Sequence, residues 1–294
     1  MPGISTGRRR TYTPYEVDAL VSAAAVGILS QRKGAFRELV TDPVEIFRQT
    51  VGEPDDWQRE FLADESRQII VCCSRQVGKS SAAAVKALAS ARSRPRSLWI
   101  LVGPTLRQAQ ELFERARDAI ELSLVEKEEQ RIGHPHAPAA QSALRVKLNN
   151  GSRIIALPGR RPGNVRGYSP DGVIIDEAAF CTDAIFSAIS PMLAVTGGQL
   201  ILLSTPCGQR GFFYQAWNDP SWKKYEVPWT KCPRISAEFI EQEKRRLGAI
   251  FAQEYLCQFL VGVTSPFDQA AIDAAKDPSV QEWELSTRWQ SPSE

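Results

Sequence analysis

The chain has 294 residues, 43% of them hydrophobic and 24% charged, proportions that are typical of a soluble globular protein. This composition excludes a disordered chain, a collagen-like fibre and a small disulfide-stabilised scaffold. The 36 lysines and arginines nearly balance the 34 aspartates and glutamates, so nucleic-acid binding would have to come from local basic patches.

The six cysteines predict a reduced, cytoplasmic protein. They form no Cys-x-x-Cys pair and no cysteine–histidine cluster, and Cys72 and Cys73 lie inside an apolar run. The apolar residues 19–29 follow three arginines, as in a secretory signal, but acidic residues intervene. That stretch is also much shorter than the about 20 residues of a membrane span. We therefore expect neither export nor a membrane partner.

The first regular elements alternate between strand and helix. The β-branched run at residues 69–73 predicts a strand, residues 74–80 a loop and the alanine-rich residues 81–91 a helix. A second strand and helix follow at residues 97–102 and 106–124. Two such units in succession favour a parallel sheet.

Further strands are predicted beyond a polar loop at residues 131–141. Residues 144–148 alternate in polarity and are joined to a strand at 152–157 through Asn150-Gly151, which is a strong hairpin signal. A loop rich in glycine and arginine follows at residues 158–171. The remaining predicted elements are strands at residues 172–177, 199–203 and 224–227, and helices at 182–193 and within 236–259.

These elements predict an α/β fold with a mostly parallel sheet flanked by helices. We expect a partly helical leader at residues 1–54, a core at 55–209, a small subdomain at 210–262 and a tail at 263–294. The aromatic residues that begin at Phe212 are expected to form the subdomain core rather than to stack on bases.

Gly78-Lys79-Ser80 lies between the first strand and its helix, where a phosphate-binding loop ends. In such a loop the backbone N–H groups hold anionic oxygens, the lysine reaches the β- and γ-phosphates and the serine hydroxyl binds magnesium. The strict pattern fails because Cys73 stands in place of its first glycine. Taken alone, the three residues also fit a solvated turn that caps a helix.

Asp176 and Glu177 end the predicted apolar strand at residues 172–177. A P-loop enzyme needs an acid there to hold Mg²⁺ and a neighbouring base to polarise the attacking water. Adjacent acids also occur in the first turn of ordinary helices. In this order and on these elements, the loop and the two carboxylates together favour ATP hydrolysis.

Two arginines are candidates for neutralising charge on the γ-phosphate. Arg75 lies inside the loop and would act in cis. Arg166 precedes Asp176 in a glycine-rich loop and would act on a neighbouring subunit. A surface arginine or a contact to DNA phosphate is an equal alternative for Arg166.

Several motifs, taken in order, resemble the large terminase subunit of tailed bacteriophages. They are residues 57–58, 74–80, 102–105 with 108–109, 150–152, 166–167, 173–177, 204–206 and the run 238–259. The resemblance covers about residues 54–268, and the Ser-Arg-Gln form of the loop accounts for its missing first glycine. It implies a RecA-like P-loop NTPase fold and a motor that uses ATP and Mg²⁺ to move double-stranded viral DNA into a procapsid.

The resemblance also implies roles for individual residues. Gln58 corresponds to a glutamine that contacts the adenine, Asp176 to the metal-organising acid and Glu177 to the base that activates water. Arg75 corresponds to a γ-phosphate sensor and Arg166 to the finger given to the adjacent subunit. The implied phosphate-binding residues are Ser74, Arg75, Gln76, Val77, Gly78, Lys79, Ser80 and Ser81, with Ser80 also a metal ligand. The implied coupling motif is Ser204, Thr205 and Pro206.

The implied partners are duplex DNA, the small terminase subunit, the portal of the procapsid and further copies of the chain in a ring, all in the host cytoplasm. Full-length large terminases add a nuclease that binds two metals through clustered aspartates. Here Asp268, Asp273 and Asp277 lie in a polar, alanine-rich tail, so no nuclease activity is expected of this chain.

Two other functions are considered. A helicase-like ATPase shares the Asp-Glu pair and the Ser-Thr-Pro motif, but too few residues follow Pro206 for a second motor domain. Loss of Lys79 or Glu177 would have supported the second alternative, a nucleotide-binding assembly protein without turnover. Both residues are present, which favours an ATPase.

Basic clusters are the candidates for DNA contact, and at most one of them is expected to touch DNA. The four clusters are Arg92/Arg94/Arg96, Arg160/Arg161, Lys223/Lys224 and Lys244/Arg245/Arg246.

Overall fold

The structure is a computed structural model that describes residues 40–123, 138–142 and 144–261. The strands in this part of the chain are β1 (Gln68–Cys73), β2 (Leu98–Gly103), β3 (Pro138–Ser142), β4 (Arg145–Leu148), β5 (Arg153–Pro158), β6 (Gly172–Asp176), β7 (Gln199–Ser204) and β8 (Lys223–Val227). The helices are α1 (Pro43–Thr50), α2 (Asp56–Ala63), α3 (Lys79–Ser93), α4 (Leu106–Leu122), α5 (Asp183–Ala194), α6 (Gly211–Asn218), α7 (Ala237–Leu247) and α8 (Phe251–Leu256).

The strands form one sheet in the order β3-β4-β5-β2-β6-β7-β1-β8. Every neighbouring pair from β5 to β8 is parallel, and β4 runs antiparallel to both β3 and β5. The predicted mostly parallel α/β fold is therefore confirmed. Only β7 separates β1 from β6, so the loop after β1 and the carboxylates after β6 meet at one edge of the sheet.

Helices cover both faces of the central strands, and this explains why β1, β2, β6 and β7 are continuous apolar runs, whereas β4 and β8 alternate. Ile69 and Val71 of β1 pack into the layer that contains α1 to α4, and Ile70 packs into the layer that contains α5 and α6. Helices α7 and α8 share a smaller apolar cluster around Ile240 and Phe251. None of the described helices is long and apolar enough to cross a membrane.

The sequence predicts a loop over residues 131–141, and this prediction is wrong at its end because Pro138–Ser142 forms β3. Backbone pairing with β4 makes this a strand, although its sequence carries no alternating apolar pattern. Helix α6 is a further element that the aromatic spacing did not reveal. Helix α6 packs on the main sheet and β8 is a strand of it, and the predicted domain boundary at residue 210 stays a prediction.

Lys86 of α3 is a buried cation that holds the end of α2. Its side chain is 4% exposed, and its ammonium donates to the carbonyl oxygens of Phe61 (2.9 Å), Leu62 (3.0 Å) and Asp64 (2.6 Å). The last carbonyl oxygens of a helix have no N–H partner within the helix. The ammonium of Lys86 donates the missing hydrogen bonds. The contact fixes α2 against the helix that begins at the phosphate-binding loop.

The variant Lys86→Met is expected to lower the free energy of unfolding by about 2 kcal/mol, because it leaves buried carbonyls without a donor. That loss corresponds to a fall in Tm of roughly 4–8 °C for a chain of this size, measured by calorimetry. Burial lowers the pKa of Lys86 to about 8, whereas a lysine in the unfolded chain titrates near about 10.4.

The same pKa difference predicts a pH dependence. Between those two pKa values the unfolded chain binds more protons, so the contribution of Lys86 to stability increases as the pH rises. The difference in stability between the wild type and Lys86→Met should therefore widen from about pH 8 to about pH 10. A constant or narrowing difference would contradict this account of Lys86.

Candidate active site

The loop between β1 and α3 presents backbone N–H groups at a helix N-terminus. Gln76 and Gly78 adopt positive φ angles of 60° and 83°, and Gly78 is the residue that precedes α3. A Cβ added at Gly78 would lie 2.8 Å from Nε2 of Gln58, so only glycine fits there. No side chain of the described residues caps α3, which leaves its first N–H groups for an anion.

Lys79 and Glu177 form an ion pair across this loop. Their Nζ and Oε1 atoms are 2.7 Å apart, and the side chains are 13% and 24% exposed. Burial by itself would lower the pKa of Lys79, but the nearby Asp176 carboxylate, supported by Glu177, outweighs it and raises that pKa above its usual value. The lysine therefore stays fully protonated and can bind an anion such as a phosphate.

Ser80 and Asp176 form the second contact between the loop and β6. The Ser80 hydroxyl donates to Oδ2 of Asp176 at 2.6 Å, and the backbone N–H of Glu177 donates to Oδ1 at 3.0 Å. A hydroxyl and a carboxylate oxygen are hard ligands of the kind that Mg²⁺ prefers, and two protein ligands leave room for phosphate and water. The residues present therefore fit a magnesium ion.

Glu177 is held in an unusual backbone conformation. Strand β6 ends at Asp176, one residue earlier than predicted, and Glu177 follows it at φ 51° and ψ 43°. The left-handed region costs a non-glycine residue roughly 1 kcal/mol or more, and such strain occurs most often at functional sites. The turn places a carboxylate beside Lys79 at the edge of the sheet.

Arg75 is held by α8 in this structure. Its Nε donates to Oε2 of Glu254, and its backbone N–H donates to the carbonyl oxygen of Glu254 at 3.1 Å. The hydrogen bond to Glu254 raises the pKa of the guanidinium, whose side chain is 61% exposed. Contact of Arg75 with a γ-phosphate stays a prediction.

Gln58 is buried beneath the loop rather than open to solvent. Its side chain is 1% exposed, its Nε2 donates to the carbonyl oxygen of Val77 at 3.3 Å, and its Oε1 accepts from the N–H of Asp55 at 2.9 Å. These bonds tie the start of α2 to the loop. The predicted contact of Gln58 with adenine stays a prediction.

Two residues near the site, Arg234 and Gln253, make contacts that the sequence did not predict. Arg234 forms a two-pronged ion pair with Asp55 (2.7 and 2.8 Å) and lies 3.8 Å from a Cβ built at Gly78. Gln253 of α8 accepts from the N–H of Gly208 at 3.3 Å, just beyond the Ser-Thr-Pro segment. Because these partners are distant in sequence, no local pattern could have identified them.

The Ser204, Thr205 and Pro206 segment ends β7, between the two strands that carry the site. All three residues are buried. Ser204 is paired with Cys72 in the sheet, yet its hydroxyl has no hydrogen-bond partner among the described residues. An unsatisfied buried hydroxyl is uncommon, and here it lies next to the loop and the carboxylates.

Arg166 lies apart from the other candidate residues. It is exposed in the loop before β6 and lines a cleft of about 430 Å³ together with Tyr168, Met192 and Val195. No other predicted site residue lines that cleft. Its predicted role as a finger toward a neighbouring subunit stays a prediction.

The chain is similar in sequence to known proteins. The family model described as "Terminase large subunit, T4likevirus-type, N-terminal" matches residues 70–272. The large terminase subunit of Thermus phage G20c is 30% identical over 188 residues, which are 58% of this chain and 38% of that protein. The chain therefore spans well under two thirds of the length of this curated relative.

Two solved structures are similar in fold. The large terminase ATPase domain of Thermus phage P74-26 is 26% identical, with a TM-score of 0.60 over 74% of this chain and 98% of that one. The large terminase of another thermophilic bacteriophage, solved in complex with ADP, is 13% identical, with a TM-score of 0.59 over 70% of this chain and 54% of that one. The RecA-like P-loop fold expected from the sequence is thereby confirmed.

Proposed function

The chain belongs to the family of phage terminase large subunits, and on that premise we propose that it is an ATPase that drives double-stranded viral DNA into a procapsid. One observation carries the proposal. The Lys79–Glu177 and Ser80–Asp176 contacts bring a phosphate-binding loop and two carboxylates to one edge of the sheet. Phosphoryl transfer to water needs these groups together.

In this proposal each group has one task. The N–H groups before and at the start of α3 bind the phosphates with Lys79, and Ser80 and Asp176 would hold Mg²⁺. The ion would neutralise charge that builds on the phosphate oxygens. Glu177 accepts the proton of the attacking water, while Arg75 and Arg166 neutralise charge on the γ-phosphate from the same and the neighbouring subunit.

The partners follow from the same proposal. Duplex DNA, the small terminase subunit and the portal would engage a ring of these chains in the host cytoplasm, and Gln58 would contact the adenine. We also retain the division into a leader, a core at residues 55–209 and a small subdomain at 210–262. The separate apolar cluster of α7 and α8 supports that division.

The test is steady-state ATP hydrolysis by the purified chain with no DNA, with long duplex DNA and with single-stranded DNA of equal length. Hydrolysis stimulated by duplex DNA is the expected result. Stimulation by single strands alone would favour a helicase-like ATPase. Tight ATP binding without turnover in any condition would favour a nucleotide-binding assembly protein.

The variant Ser204→Ala tests the coupling role of the Ser-Thr-Pro segment. Because the Ser204 hydroxyl has no partner among the described residues, its removal should change the free energy of unfolding by less than about 1 kcal/mol. DNA stimulation of hydrolysis should nevertheless fall several-fold.

Ser123→Ala is the matched control, because Ser123 is similarly buried but hydrogen-bonded. Its hydroxyl accepts from the Arg92 guanidinium at 2.7 Å and donates to the carbonyl oxygen of Ala119. This variant should lose about 1–3 kcal/mol of stability with DNA stimulation intact. Unchanged DNA stimulation in Ser204→Ala would contradict the coupling role.

A further inference from the structure

We propose that the β4–β5 hairpin carries a surface that binds the phosphate backbone of duplex DNA; this inference rests on the proposed function. The surface, here called the hairpin face, consists of Arg145, Lys147 and Arg153. The register pairs Lys147 with Arg153 and Arg145 with Ile155, so all three cations lie on one face of the hairpin.

The opposite face of the hairpin fixes this arrangement. Val146, Leu148 and Ile154 are completely buried in the layer of α1 to α4. A slip of one residue would bury the cations and expose these apolar side chains, so the register is strongly specified. The cations therefore project from a rigid strand pair, whereas loop side chains would have to be ordered on binding.

The loop after β5 extends the positive charge. Arg160 and Arg161 are exposed in it, and its Val165 packs in the same apolar layer as Ile155, on the hairpin face side of the sheet. Residues 144–171 contain six basic side chains and one acidic side chain, Asp171, whereas the whole chain has a net charge of only +2.

Four of the cations of the hairpin and the following loop remain available for a ligand. Within the part of the chain that the structure describes, no ion pair involves Lys147, Arg153, Arg160 or Arg161. The one acid of the segment, Asp171, lies 3.7 Å from Arg94 and accepts from the N–H of Leu98. A phosphate would not have to displace a carboxylate from those four side chains.

The spacing suits a polyanion. Residues two apart on a strand are separated by about 6.7 Å, a length over which duplex DNA presents roughly four negative charges. Cations in a row on a strand pair bind such a backbone without reading its sequence. This is the type of contact that a motor moving along any DNA needs.

The other predicted basic clusters are less suitable. Arg92 is 4% exposed and donates to the Ser123 hydroxyl at 2.7 Å, so it cannot reach DNA. Lys223 lies over the ring of Tyr225, with Glu226 nearby in sequence. The three consecutive cations of α7 follow three acids on the same helix, and its Arg246 donates to Glu243 at 2.9 Å. Charges of mixed sign are typical of an ordinary solvated face.

The experiment compares duplex DNA binding by the wild type and by Lys147→Glu/Arg153→Glu across a salt series, using fluorescence anisotropy of a labelled duplex. The matched control is Lys244→Glu/Arg245→Glu on α7, which reverses the same number of charges. At about 0.1 M salt the hairpin variant should bind at least about 10-fold more weakly. The slope of log K against log salt should decrease by roughly two, with the control close to wild type.

Folding and hydrolysis are measured on the same samples. Tm and DNA-independent ATP hydrolysis should be unchanged in the hairpin variant. The variant Lys147→Arg/Arg153→Lys, which keeps both positive charges, should bind duplex DNA as the wild type does. If the hairpin variant kept the wild-type affinity for duplex DNA and the wild-type salt slope, the hairpin face would not be the DNA-binding surface, and the proposed function would stand. No duplex binding by the wild type would overturn both.

Discussion

Glu177→Gln is expected to lower kcat for ATP hydrolysis by about 10²–10⁴-fold while ATP binding stays within a few-fold of wild type. The loss follows because glutamine cannot accept the proton of the attacking water, and positioned bases contribute this much. Glutamine is similar in size and can still accept a hydrogen bond from Lys79, so the contact observed at 2.7 Å need not be lost. Single-turnover hydrolysis and equilibrium titration with ATP measure the two effects separately.

Glu238→Gln is the control for that experiment, because Glu238 is exposed on α7 and carries the same chemical change. It should hydrolyse ATP at the wild-type rate. If Glu177→Gln also retained wild-type turnover, the attacking water would be activated by another group and the assignment of Glu177 would be wrong.

Lys79→Met is expected to weaken ATP binding by roughly 10- to 100-fold. The ammonium is largely buried beside the first turn of α3, and a hydrogen bond from a charged donor contributes about 1.5–3 kcal/mol. The substitution also leaves Asp176 and Glu177 without their cation, so they would repel the phosphates. Isothermal titration calorimetry with ATP and Mg²⁺ measures the loss.

Lys244→Met controls for the loss of one lysine, because Lys244 is exposed on α7. Its affinity for ATP should equal that of the wild type. Equal affinities in Lys79→Met and the wild type would mean that nucleotide binds away from this loop. A stable fold in both variants, checked by Tm, is required for the comparison.

The sequence was sufficient to predict the elements whose functional residues also determine the local backbone structure. The apolar runs before Ser74 and Asp176 predicted both buried strands, and Gly78-Lys79-Ser80 predicted the loop and the start of α3. The hairpin around Asn150-Gly151 was predicted from its turn residues and alternation. Such signals are local, and tertiary packing reinforces them here.

Other features depend on contacts between distant residues. The pairing of β3 with β4, the ion pair of Arg234 with Asp55 and the hold of Glu254 on Arg75 join segments whose sequences carry no common pattern. The left-handed turn at Glu177 is likewise imposed by the site, since local propensity disfavours it for glutamate. The order of the strands, in which only β7 separates β1 from β6, likewise cannot be predicted from the periodicity of apolar residues.

The most direct test is the experimental structure of Glu177→Gln with ATP and Mg²⁺, in which slow turnover should preserve the nucleotide. We expect the triphosphate at the N-terminus of α3 in contact with Lys79, and the metal ion beside Ser80 and Asp176. Nucleotide bound elsewhere on the chain, or an empty loop at saturating ATP, would contradict the account.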